Sequence, residues 1–134
     1  MRDSEPFDGV ILQYIYDYCR YVEELLDEYG REEAIFRSRR SFRDSVSMNV
    51  LCIGEYAGRL SEAFRKATGD RIPWQAIRAM RNRFAHNYMG MDVKMIWDTA
   101  LREVPKLKAF CEEQLPLIQT GGDAAPEDDT SIEL

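Results

Sequence analysis

One stretch of the chain gathers the side chains best suited to act on a phosphate: Arg81, Asn82, Arg83, His86 and Tyr88, with Phe84, Ala85 and Asn87 between them. His86 is the only histidine in 134 residues. Histidine exchanges protons near neutral pH, and arginine presents a fixed fork of donors that fits phosphate oxygens. Together they suit a site directed at phosphate. On a helix turning about 100° per residue, Ile77, Met80 and Phe84 fall in one apolar arc. Arg78, Asn82 and His86 lie roughly opposite, and Arg81 stands at the border. Such a helix is buried along one side and displays a cationic, hydrogen-bonding strip along the other. The plainer alternative is a solvated arginine face and a histidine that caps a helix end, because short motifs recur without function.

The elements that must position this strip are all helical. From Asp8 to Tyr29, Ile11, Ile15, Tyr18, Val22, Leu25, Leu26 and Tyr29 recur at helical spacing, and Gly30 is a natural stop. A short helical piece is expected over Glu32 to Ser38, followed by the basic turn Arg37-Ser38-Arg39-Arg40. Ser41 is expected to cap a long helix reaching Ala67, with Phe42, Val46, Val50, Ile53, Ala57, Leu60 and Phe64 as its stripe. Glu55 borders a second apolar set on that helix. It is either a half-exposed carboxylate or one that faces the basic strip and orients an arginine. Pro73 and Trp74 open the motif helix, and Gly90 is expected to end it. Asp92 then caps a helix carrying Val93, Ile96, Trp97 and Leu101. Pro105 breaks or kinks the chain, and a last helix with Leu107, Phe110, Cys111 and Leu115 is closed by Pro116. Short connections favour antiparallel neighbours, so the fold class is all-α, an up-and-down bundle of about five helices.

The length fits one domain, placed at residues 1–120, with residues 121–134 as an acidic, disordered tail. No apolar run at the N-terminus resembles a signal peptide, and no stretch is long enough to span a bilayer. Cys19, Cys52 and Cys111 are odd in number and far apart, as reduced thiols of a cytoplasmic protein would be. One histidine and no cysteine pair leave no metal site in view, and no cofactor is called for. The net charge of −6 is unevenly spread. Residues 31–83 carry 12 basic and 6 acidic side chains, whereas residues 121–134 carry 5 acidic and no basic ones. The basic block ends in the motif, which permits a phosphate backbone as partner.

The pattern Arg81-Asn82-x-x-x-His86-x-Tyr88 resembles the signature of HEPN-domain ribonucleases and, with its tyrosine, that of the HepT toxins. The likeness continues in Ile53-Gly54-Glu55, in Ile72-Pro73-Trp74, in Gly90-x-Asp92, in Trp97 and in Val104-Pro105-x-Leu107, over roughly residues 10–118. Tyr56 stands where the family tends to have alanine, and Met89 where an aromatic is usual. The resemblance implies a HEPN-like homodimer that is a metal-independent endoribonuclease toxin. Arg81 and His86 would be catalytic, in a cleft that two chains share, and Asn82, Arg78 and Glu55 would support them or hold RNA phosphates. It also implies a minimal nucleotidyltransferase antitoxin of MntA type that transfers AMP to Tyr88. Composition and spacing add one point: a single histidine per chain cannot be both base and acid, whereas a two-fold dimer supplies two. RNA is then the substrate, with no DNA and no membrane expected. The alternatives are a non-catalytic HEPN module that binds nucleotide or supports a nucleotidyltransferase, and a purely helical interaction protein.

Overall fold

Five side chains on the first helix, Leu12, Ile15, Cys19, Val22 and Leu26, follow one another three or four residues apart and are all fully buried. That spacing is one face of an α-helix, and it forms the spine of an all-helical bundle. The structure, a computed structural model, describes the backbone of residues 6–86 and 92–119 and the side chains of all of these except residues 85, 86 and 119. The elements are α1 (Asp8–Glu28), α2 (Glu33–Ser38), α3 (Arg40–Ala57), α4 (Glu62–Ala67), α5 (Trp74–His86), α6 (Val93–Asp98), a π-helical turn (Thr99–Glu103) and α7 (Val104–Gln119). No strand occurs among the described residues. Helix α1 packs on α3 and α7, and α3 also packs on α5. The expected acidic tail and Gly90 lie outside the described residues.

The α1 stripe is turned slightly from the expected one. Leu12 and Cys19 sit at its centre, and Ile11, Tyr18, Leu25 and Tyr29 flank it, partly buried. Gly30 ends the helix in the left-handed region, φ +74°, where glycine is free of the Cβ penalty. Tyr56, the departure from the family pattern, stacks with Tyr14 and Tyr18 of α1 at ring-centroid distances of 5.1 and 5.8 Å.

Three boundaries differ from expectation. Arg39, not Ser41, occupies the N-cap of α3, and no side chain caps it. The long helix to Ala67 is two helices. Ser61 adopts an extended backbone, its hydroxyl accepts from the Phe64 amide at 3.1 Å, and α4 starts anew. The break is held from α1. The buried Asp8 carboxylate accepts from the Ser61 amide at 2.8 Å and from its hydroxyl at 2.6 Å. Last, α6 and α7 join through the π turn, so the chain neither breaks nor stops at its prolines. A proline has no N–H and its ring crowds the carbonyl four residues back. The wider π turn just before Pro105, closed by the Val104 amide on the Thr99 carbonyl, takes up that conflict. Pro116 lies inside α7, which runs on to Gln119.

Candidate active site

Helix α5 is positioned by its ends and by a glycine. At its start Pro73 supplies the carbonyl for the Ile77 amide. Trp74 is buried, and its indole N–H donates to Thr68 Oγ1 at 2.9 Å. Phe84 anchors the far end in the core. Between them α5 lies against α3 at Gly54. A Cβ on Gly54 would stand 2.5 Å from Arg81 Cβ and 3.1 Å from Arg81 Cγ. Glycine in a helix interior costs about 1 kcal/mol relative to alanine, so this close approach is what the glycine secures.

The approach brings Arg81 onto the next residue of α3. Arg81 Nη2 lies 2.7 Å from Glu55 Oε1, and Arg81 Nη1 donates to Asn82 Oδ1 at 3.1 Å. Glu55 Oε2 is 3.4 Å from Arg59 Nη2. The Arg81 Nε–H is buried with no partner among the described residues. Both members of the Arg81–Glu55 pair are more than a third exposed, and exposed pairs contribute only about 0–1 kcal/mol. The pair therefore orients the guanidinium more than it stabilises the fold. Both sequence alternatives for Glu55 hold at once: it is half-exposed, and it faces the basic strip.

Arg78 and Asn82 are exposed one turn apart on the same helix. Arg78 passes close to Gly58 at the end of α3: its Nε lies 3.6 Å from where a Cβ on that glycine would stand, an ordinary van der Waals contact. His86 is the last residue of α5, one turn after Asn82; its side chain and all of Tyr88 lie outside the described residues. The structure thus brings together Glu55, Arg81 and Asn82 and sets Arg78 beside them. Sequence reasoning missed the positioning role of Gly54 and the second cation on Glu55, Arg59. A glycine inside a strong helical pattern was the available signal for Gly54. No group of three or more His, Cys, Asp or Glu that could hold a metal ion occurs among the described residues. Nor is any helix there long and apolar enough to cross a membrane.

This constellation stands inside a wider match. The family model described as “Ribonuclease HepT-like” covers residues 15–114, from α1 to near the end of α7. The chain belongs to the HepT-like family. A protein of Caldanaerobacter subterraneus subsp. tengcongensis, to which an RNase activity is ascribed, is 29% identical over 117 residues, 86% of this chain and 96% of that one. A Thermococcus cleftensis protein named “Probable ribonuclease HepT” is 28% identical over 102 residues, 75% of this chain and 91% of that one. No solved structure gives a significant match. The HepT-like match contains Gly54, Glu55, Arg78, Arg81, Asn82, His86 and Tyr88, so the whole candidate site falls within it.

Proposed function

We propose that this HepT-like protein is a metal-independent endoribonuclease, the toxin of a toxin–antitoxin pair, acting on cytoplasmic RNA in a cleft shared by two copies of the chain. The observation that carries this reading is the Glu55–Arg81 pair: an arginine held in place by a carboxylate beside Asn82, on the helix that ends in His86. RNA supplies its own nucleophile. A base takes the proton of the 2′-hydroxyl, the 2′-oxygen bonds to phosphorus, and the bond from phosphorus to the 5′-oxygen breaks. An acid protonates that leaving oxygen, so the products are a 2′,3′-cyclic phosphate and a 5′-hydroxyl. His86 of one copy serves as base and that of the other as acid, while Arg81 neutralises the phosphorane. Asn82 and Arg78 hold neighbouring oxygens. Residues 1–120 form the catalytic domain, and residues 121–134 an acidic tail appended to it. An MntA-type nucleotidyltransferase silences the toxin by placing AMP on Tyr88.

The test is cleavage of end-labelled RNA by protein whose mass in solution is measured by sedimentation. A homodimer, cleavage that survives EDTA, and its loss in Arg81→Ala and in His86→Ala with unchanged helicity are expected. Full activity of the His86 variant, or a monomer at micromolar concentration, would refute the shared acid–base site. Nucleotide binding without cleavage would point instead to a non-catalytic module.

A further inference from the structure

Followed toward its N-terminus, the polar strip of α5 opens into a cleft of about 470 Å³. Arg65 and Lys66 of α4 face Gln75 and Arg78 of α5 across it, and Glu62 is the one acidic residue in its described wall. The side chains of Lys66 and Arg78 make no hydrogen bond or ion pair among the described residues. Arg65 is fixed differently: its Nη1 donates to the carbonyls of Gly58, at 3.3 Å, and of Leu60, which ties the guanidinium to the α3–α4 turn. The cleft also receives the start of a 13-residue helix with no acidic residue in its first turn. The amide of Gln75, which lines the cleft at that start, has no acceptor among the described residues. Orphan amides and the positive end of a helix favour an anion, and three cations converge on the same place.

We propose that this cleft is a subsite for phosphates of the RNA strand that flank the cut, with Lys66 as its exposed cation, Arg65 as its fixed one and Arg78 bridging to the Arg81–Glu55 site. The proposal rests on the reading of that site as one acting on RNA. From Gln75 to His86 the helix rises about 16 Å, so the subsite holds a strand a few nucleotides from the reacting phosphate. Its aromatic residue, Trp74, is buried and offers no face on which a base could stack. The cleft therefore grips the backbone, and binding there is indifferent to sequence.

The experiment uses the full chain and a fluorescent single-stranded RNA with 2′-O-methyl groups throughout, which binds but cannot be cut, titrated over a range of salt concentrations. For single strands the slope of log affinity against log salt falls in magnitude by about 0.7 for each phosphate that is no longer neutralised. Lys66→Ala is expected to lower the slope by that amount for each subsite occupied, equally for several sequences, and Lys66→Arg to restore it. Arg20→Ala, on α1, is the control and leaves the slope alone. Lys66 is exposed and holds no partner among the described residues, so its replacement leaves the fold intact, whereas Arg65→Ala would loosen the α3–α4 turn. If the wild type binds and cleaves RNA but Lys66→Ala has an unchanged slope, the subsite is overturned and the active-site reading stands. If the wild type neither binds nor cleaves RNA, both fall together.

Discussion

Gly54 and Glu55 are adjacent, yet they govern Arg81 in different ways. Glu55 sets the direction of the guanidinium, and Gly54 sets how close its helix can come. In Gly54→Ala the new methyl would overlap Arg81 Cβ, so α5 must shift outward. Overpacking of this kind costs about 1–3 kcal/mol, and a displacement on the order of 1 Å lowers catalysis by roughly 100-fold. Glu55→Gln keeps the shape and loses the charge, so stability should hardly change while cleavage falls by less than in Gly54→Ala. Melting curves and initial rates on the two variants check both statements, and a fully active Gly54→Ala would mean that the close approach is not required. At Tyr88 the expectation concerns regulation. By helical spacing alone, a residue seven places after Arg81 returns to within about 20° of it, so an adenylate on Tyr88 is expected to bring negative charge to the guanidinium proposed to hold RNA. Tyr88→Phe should retain nuclease activity, gain no AMP by intact mass with the nucleotidyltransferase and ATP, and escape silencing. AMP attached elsewhere would misplace the switch.

Among the elements, the break between α3 and α4 depends on a residue more than fifty positions away. Asp8 is buried and accepts two hydrogen bonds from Ser61, the residue that also caps α4. Removing the carboxylate strands those donors, and hydrogen bonds to a charged group are worth about 1.5–3 kcal/mol each. Asp8→Ala should therefore lose on the order of 3–6 kcal/mol, seen as a lower urea midpoint with an unchanged slope. A loss below about 0.5 kcal/mol, the size of an ordinary surface change, would show that α4 holds its place without this tie.

For the molecule as a whole, the buried thiols between α1 and α7 predict an alkaline limit. Burial pushes Cys19 well above its usual value of 9.0, with Cys111 and Glu23 adding to the rise, and pushes Cys111 up to about 12. Below about pH 8 both thiols keep their protons whether the chain is folded or not, so they add no pH dependence there. Above it the unfolded chain releases protons that the folded protein retains, and stability drops as pH rises from about 9 toward 12. Each thiol contributes a slope of at most about 1.4 kcal/mol per pH unit. Denaturation midpoints between pH 8 and 10.5 should fall, and less steeply in Cys19→Ala than in the wild type. Equal slopes would show that the thiolate is tolerated in the core. In the same window Cys52, only half-buried and raised less far, should be the first cysteine to be alkylated.

The all-α class, the helix stripes, the Asp92 cap and the division of α5 into an apolar arc and a cationic strip were legible because they follow from spacing along one helix at a time. Side-chain periodicity is local, and burial obeys it: Phe84 went in, and Arg78 and Asn82 stayed out. Tertiary structure decided what depends on two elements meeting. The sequence left Glu55 with two readings, and only the approach of α5 to Gly54 chose its partner. The split at Ser61 could not be read locally, because Asp8, on α1, holds it. Pro105 announced a conflict without its remedy, which is a π turn in a continuous helix. The cleft at the start of α5 joins residues of α4 and α5 that no motif connects. Periodicity is written in each segment, whereas close approach and the pairing of distant charges exist only once the segments are packed.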